Sequence, residues 1–364
     1  MNVRDFDFEL PDDLIAQAPP PQRGASRLMA IDRVPGVIAH RQFAELPTML
    51  QSGDVLVVND TQVFPARLIG RRLHGGGAAE CFLIRETEDA DVWIALVHPG
   101  QRLREGALMV FPSTHAAPGG SRNVRSGQVN DTLYAEVLGS HFHGRRTVRL
   151  WTGGGTSVRE AIEAIGHLPL PPYIKRDDVE DDRERYQTVY ARSRGSIAAP
   201  TAGLHFTPQV LEALQARGIE RLSITLHIGY GTFQPIRSER VEEHQMEAER
   251  YEVSDATAVA LTQALQQGRR IIAVGTTTTR TLESLTIGSD GAVLPGAGAT
   301  SLFIHPGYEF RIVRGLITNF HLPKSSLLML VSAFGGRELM LRAYREAVAN
   351  KYRFYSYGDA MFIA

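Results

Sequence analysis

"RIIAVGTTTTRTLES", residues 270–284, passes from an apolar strand through a glycine into four threonines, an arginine and a helix that begins near Thr278. β-Branched threonines are poor helix formers, so local stability does not explain the corner. A strand-to-helix corner leaves backbone N–H groups free, and the helix dipole adds partial positive charge there. With the hydroxyls and Arg280 alongside, the stretch predicts an anion site. The competing reading is a helix merely capped by its threonines. On both readings the unit is a strand feeding a helix, and that unit decides the fold.

The unit recurs along the chain. "TSVREAIEAIGH" is amphipathic, and "TPQVLEALQARG" has Thr207 as N-cap, Pro208 at the first helical position and Gly218 as its stop. Strand "RLSITLHI" follows, then a helix over 255–267 between Ser254 and Gly268. Strands at 301–304, 310–320 and 353–357 frame a helical stretch at 325–350. Such alternation implies an α/β domain with a mainly parallel sheet, to which a buried strand at 54–58 belongs. Between them the texture changes. Short alternating runs at 66–73, 80–85, 92–97, 107–111, 132–138 and 145–151 are split by glycine-rich and polar clusters. Evenly spaced short strands with turn signals predict a small antiparallel β-barrel. The expected division is an α/β catalytic domain of residues 1–60 and 152–364, with a barrel inserted at 61–151.

Composition narrows the function classes. Of the 364 residues, 39 are Lys or Arg and 40 are Asp or Glu, so no global field draws in a polyanion. A nucleic-acid partner needs local patches. The single cysteine, Cys81, cannot form an internal disulfide, which fits a reducing, cytoplasmic compartment. The acidic start "MNVRDFDFELPDD" lacks a signal-peptide h-region. The apolar run "LLMLVSAF" at 327–334 is too short to span a bilayer.

In an open α/β sheet, ligands gather beyond the carboxyl ends of the strands. That rule collects Asn59-Asp60-Thr61, Gly229-Tyr230-Gly231-Thr232, the threonine corner, Asn319-Phe320-His321 and Gly358-Asp359. The segment "GSIAAPTAGLHFT", residues 195–207, adds small residues for close backbone approach and His205 before a helix cap. His205 fits either a cleft or a tight loop that uses it to bond a carbonyl. His227, His244 and His321 fall in or near the same loops, whereas His40, His74, His115, His141 and His143 lie in polar loops suited to solvent. "EEHQMEAE" at 242–249 lacks a second histidine on one helical face, so a zinc reading fails and no metal is expected. No GxxxxGK[ST] loop and no GxGxxG between strand and helix is present.

Ten blocks in order carry a resemblance: "DFDFELPDDLIAQ", "SRLM", "NDTQVFPARLIGR", "GHLPLPPYI", "YQTVYA", "APTAGLHFT", "TLHIGYGTFQPI", "AVGTTTTRTLES", "LITNFHLPKSSLLMLVSAF" and "YRFYSYGDAMFI". Together they resemble the S-adenosylmethionine:tRNA ribosyltransferase-isomerase family from residue 3 to 363. The resemblance implies an α/β domain with an inserted β-barrel. It also implies ribosyl transfer and isomerisation from S-adenosylmethionine onto the aminomethyl group of 7-aminomethyl-7-deazaguanine at the tRNA wobble position. The product is epoxyqueuosine-tRNA, with adenine and methionine released. S-adenosylmethionine is a co-substrate, and no metal, redox cofactor, membrane or obligate protein partner is implied. Three positions depart from the family pattern: Gln62 where a basic residue is usual, Glu247 where a histidine is usual, and His305 where tyrosine is common.

The donor's chemistry then sets the roles to fill. A sulfonium acidifies the ribose 5′ hydrogens, so a base near neutral pKa is needed, which histidine supplies. His205 or His227 is the expected base, with Asp359 or Glu283 as partner. Thr276, Thr277 and Arg280 are expected to hold the methionine carboxylate, and Asn59, Asp60, Asn319 and His321 to contact substrate. Arg67, Arg71, Arg72, Arg145, Arg146, Arg192, Arg194 and Lys324 are candidates for tRNA phosphates, each of which also fits a plain surface charge. A monomer on an unstacked anticodon loop is the expected working form.

Overall fold

The structure, a computed structural model, describes residues 1–112, 132–229, 236 and 238–364. Residues 230–232 of the expected glycine-rich loop, His115 and the side chain of His143 lie outside the described residues. The chain forms two compact units, Met1–Gln62 with Pro171–Ala364, and Val63–Leu170.

The strands run β1 (Arg27–Asp32), β2 (Val37–Gln42), β3 (Val55–Asn59), β4 (Thr61–Val63), β5 (Arg67–Arg72), β6 (Ala78–Glu86), β7 (Val92–His98), β8 (Leu108–Phe111), β9 (Leu133–Ser140) and β10 (Arg145–Thr152). They continue as β11 (Ser193–Ser196), β12 (Glu220–Leu226), β13 (Glu249–Val253), β14 (Ile271–Val274), β15 (Gly296–Thr300), β16 (Val313–Asn319) and β17 (Ala360–Ile363). The helices are α1 (Val158–Ile165), α2 (Asp182–Arg185), α3 (Pro208–Ala216), α4 (Asp255–Gln266), α5 (Thr276–Ser284), α6 (Ser326–Gly335) and α7 (Arg337–Ala349).

In the larger unit, nine strands form one sheet in the order β15-β13-β12-β3-β14-β16-β17-β1-β2. Its centre, β12-β3-β14-β16, is parallel. β3 reads Val-Leu-Val-Val-Asn and is buried throughout, as a strand covered on both faces must be. On the flanks β13 against β12, β15 against β13, β17 against β16 and β2 against β1 are antiparallel, while β1 runs parallel to β17. The α/β class stands, with a mixed rather than mainly parallel sheet. Helices α4, α5, α6 and α7 and the N-terminal Val3 and Phe6 supply one core, and α3 with the Phe43–Thr48 turn supplies the other.

Several boundaries differ from the reading of the sequence. The run 301–304 is not a strand, since β15 ends at Thr300 and the next strand begins at Val313. The run 353–357 is not a strand; β17 begins at Ala360 and runs antiparallel to β16. Its first residue therefore pairs with Asn319, the last residue of β16, so Asp359 still reaches the carboxyl edge of the parallel strands. The helical stretch at 325–350 is two helices, parted at Gly336.

The second unit is a closed antiparallel barrel, β10-β7-β6-β5-β8-β9. Alternation produces it: Leu68, Cys81, Leu83, Ala95, Val137, Val148 and Leu150 point inward and are buried, while their neighbours face out. Burial pushes the Cys81 thiol up to about 12. This unit runs on to Leu170 and so includes α1, held by a Ser157–Glu160 capping box, whereas strand texture alone put the boundary at Trp151.

Candidate active site

The carboxyl edge of the parallel strands collects the polar residues, and its hydrogen bonds sort them into committed and available groups. Asn59, at the end of β3, clamps the next strand: its amide donates to the Leu226 carbonyl (2.9 Å) and accepts from Leu226 N (3.0 Å) and Thr61 N (3.1 Å). That clamp sets the chain direction from which His227 emerges.

His205 is closed. Its Nδ1 lies 2.8 Å from Ser26 Oγ and its Nε2 lies 3.1 Å from Asn319 Nδ2. The Asn319 amide is oriented by two further partners, since Nδ2 donates to the Tyr355 carbonyl (3.0 Å) and Oδ1 accepts from Thr201 Oγ1 (3.2 Å). Nδ2 is thus a donor, His205 Nε2 must accept, and the ring proton sits on Nδ1. Protonating Nε2 would break this network, and burial, helped by the charges of Arg23 and Arg353, holds His205 down to about 3. The adjoining cavity, lined by Ser26, Ser356 and Tyr357, has about 20 Å³, room for one water and not for a nucleoside.

His227 is open on one side. Thr61 Oγ1 bonds the Ser193 carbonyl (3.3 Å), which uses its single proton, and lies 2.8 Å from His227 Nδ1. Nδ1 therefore carries the proton, and Nε2 keeps a lone pair with no partner among the described residues. The ring lies against Gly195 at φ +152°, where an added Cβ would sit 2.7 Å from Cε1, so only glycine permits this approach. Burial lowers the His227 pKa below its ordinary value, and the charges of Asp60 and Glu252 oppose that. Asp60 is buried and accepts from Thr225 Oγ1 (2.7 Å) and from Arg192 Nη2 (2.8 Å). Asp60, Arg192, Ser193 and Thr225 line an open groove of about 540 Å³.

The threonine corner resolves into two parts. Helix α5 begins at Thr276, two residues before the expected start, after Gly275 at φ +93°, and no side chain caps it. Thr278, Thr279 and Thr281 turn their hydroxyls back onto the carbonyls of Val274 (2.7 Å), Gly275 (3.0 Å) and Thr277 (3.1 Å). Thr276 and Thr277 stay at the mouth of the helix.

Four expected site residues are structural instead. Arg280, one turn further along α5, is buried: Nη1 bonds Glu249 (2.7 Å) and Nε bonds the Leu302 carbonyl (2.8 Å). Its fork is committed, so it does not hold a substrate carboxylate. Glu283 accepts the backbone N–H groups of Arg311 (2.8 Å), Ile312 (3.0 Å) and Val313 (2.8 Å). Those residues lead into β16, so Glu283 stands at the opposite edge of the sheet, about 10 Å along the helix from Thr276. Asp359 ties β17 to β1 through Arg27 N (2.9 Å), Arg27 Nη2 (3.1 Å) and Arg353 N (2.8 Å). His321 bonds Thr318 Oγ1 (3.0 Å), and burial holds it down to about 3.

The arginine candidates divide as well. Arg67 forms a two-pronged pair with Glu80 (2.8 and 3.1 Å), Arg192 holds Asp60, and Lys324 pairs with Asp7 (2.7 Å). Arg71 is exposed on β5, while Arg145 and Arg194 are half-buried. Of the departures from the family pattern, Gln62 and Glu247 are exposed, and His305 packs against Phe303 at 5.3 Å. His244 also packs against Phe303, at 5.0 Å. Among the described residues no cluster of three metal-ligating side chains occurs, and no helix is long and apolar enough to cross a membrane.

These features define an α/β protein with an inserted barrel and an available imidazole, that of His227, at the carboxyl edge of its sheet. A family model described as "Queuosine biosynthesis protein" matches residues 3–363, and the chain belongs to that family. It is 49% identical over 363 residues to S-adenosylmethionine:tRNA ribosyltransferase-isomerase of Desulfitobacterium hafniense, covering 100% of both chains. It is 45% identical over 363 residues to the protein of the same name from Natranaerobius thermophilus, covering 100% of this chain and 99% of that one. The crystal structure of S-adenosylmethionine tRNA ribosyltransferase from Thermotoga maritima matches with a TM-score of 0.53 and 35% identity, over 99% of this chain and 100% of that one.

Proposed function

We propose that this protein transfers and isomerises the ribosyl moiety of S-adenosylmethionine onto 7-aminomethyl-7-deazaguanine at the wobble position of tRNA. The product is epoxyqueuosine-tRNA, with adenine and methionine released. The observation that carries this reading is the end-to-end match to proteins of that name. His227 Nε2 is the general base that removes a 5′ proton to form the sulfonium ylide. The sugar then opens and adenine departs, taking the proton now on His227. The acceptor amine adds to C4′ of the unsaturated sulfonium and loses a proton, the C5′ ylide so regenerated closes onto the freed C1′ aldehyde, and the resulting alkoxide displaces methionine from C5′ to form the epoxide. The uncapped N-terminus of α5, with Thr276 and Thr277, receives the methionine carboxylate. Asp60 and Asn59 hold the loops around the base. Arg71, Arg145 and Arg194 remain the candidates for tRNA phosphates. The scheme needs no metal, redox cofactor or second protein, and fits a monomer in the cytoplasm.

Purified protein with S-adenosylmethionine and tRNA carrying the aminomethyl base should release adenine and methionine in equal amounts, with or without chelator. Label in the donor methyl should leave with methionine. Label in the RNA, or no adenine, contradicts the proposal.

A further inference from the structure

On the barrel, Phe142 stands at the tip between β9 and β10 with 91% of its surface exposed, far more than the other exposed aromatic, Trp151 at 36%. Burying such a side chain is favourable, so the fold leaves that gain unused at this tip. The surroundings are basic. β10 pairs with β7, Arg145 opposite Leu96, so the loop after His98 shares the rim with this tip. Arg146 fastens the two together, its guanidinium reaching the carbonyls of Gly100 and Leu103 (both 3.5 Å) and of Arg145 (3.0 Å). That loop presents Arg102 and Arg104 to solvent. Over residues 98–106 and 141–146, four arginines face one acid, Glu105, a net of three positive charges on a chain whose net charge is −1.

An exposed aromatic ring on a basic rim is what a single-stranded nucleic acid requires: a face on which a base stacks, with cations for the neighbouring phosphates. We propose that this rim is a single-stranded RNA site, with Phe142 stacking on an unpaired base of the tRNA and Arg102 and Arg104 contacting its phosphates. The proposal rests on the reading above that tRNA is the substrate. A solvated hydrophobic tip would have no need of the surrounding charge, and an apolar protein partner would be disfavoured by it.

The test uses the full chain with Phe142→Ala, Phe142→Trp and Arg102→Ala/Arg104→Ala. Phe142 supports no packing, so the variants should fold like the parent. Phe142→Ala should raise the KM for tRNA about tenfold, a typical stacking loss. Adenine release at saturating tRNA and the KM for S-adenosylmethionine should each move less than twofold. The indole of Phe142→Trp should restore tRNA affinity, and its emission should be quenched by tRNA. The double arginine variant should flatten the dependence of log K on log salt by about 1.4, at about 0.7 per lost single-strand phosphate contact. An unchanged tRNA KM with an unquenched indole overturns the proposal. So does a change in oligomeric state with tRNA affinity intact, which would assign Phe142 to a second copy of the chain. If the parent releases no adenine yet tRNA still quenches the indole, the proposed reaction fails and the RNA site stands.

Discussion

The His205 and His227 neighbourhoods lie in the same unit and follow the same sheet edge, yet they are built to opposite ends. Around His205, Ser26, Asn319, Thr201 and the Tyr355 carbonyl satisfy one another, and both ring nitrogens are used. Around His227, Thr61 fixes the tautomer through Nδ1 and leaves Nε2 available. A closed network gives rigidity because every buried polar group has a partner. An open one gives chemistry because one group lacks a partner until substrate arrives. The difference teaches that burial of a histidine does not mark a base; the unused nitrogen does.

The largest effect expected from this contrast lies in the committed network. Arg280→Ala should cost about 3–5 kcal/mol of stability, because it removes the cation that balances the buried Glu249 carboxylate. Donor affinity in the protein that remains folded should be unchanged, and denaturant melts beside donor titrations check this. Weakened donor binding at unaltered stability would return Arg280 to the site.

Acid sensitivity comes next. His205 and His321 are both held down to about 3 by burial, against about 6.5 in an unfolded chain. Between those values the unfolded chain binds more protons, so stability is full above about pH 6.5 and falls as pH drops towards 3. Each histidine contributes a slope of about 1.4 kcal/mol per pH unit. Urea midpoints at pH 7, 6 and 5 should show the loss, and His321→Gln should roughly halve the slope. An unchanged slope would mean that these rings titrate normally.

A smaller effect sharpens the open side. Thr61→Val removes the acceptor that fixes the His227 tautomer, and should lower the rate of adenine release about tenfold, a loss of about 1.4 kcal/mol. The tRNA KM should hold. An unaffected rate would show that the tautomer is set elsewhere.

Much of this frame was legible in the sequence, because periodicity reports burial directly. All six alternating runs between 66 and 151 are barrel strands, and Asn59, Thr276 and Asn319 lie at the strand ends that the sequence marks. The site's inner division was not legible, since it depends on partners far away in the chain. Arg280 reads as part of the threonine corner, but one helical turn carries it to Glu249, 31 residues upstream. Thr61 and His227 are 166 residues apart, and no local signal joins them. Asp359 follows no strand: "YRFYSY" is aromatic enough to imitate one without forming it, and the strand begins at Ala360. Phe142 was missed altogether: "HFHGRR" reads as a polar turn, and only exposure sets its ring apart.

The most direct test of the His227 assignment is adenine release by His227→Ala and by His205→Gln, each with and without added imidazole. The account predicts a fall of about 10³-fold for His227→Ala, within the usual range for a lost general base. Imidazole entering the space beside Gly195 should restore part of that rate, following the fraction of unprotonated imidazole as pH is varied. His205→Gln should keep its rate within about tenfold and gain nothing from imidazole. A His227→Ala protein that retains its rate, or a His205→Gln protein that loses it while still folded and is rescued by imidazole, would contradict the account.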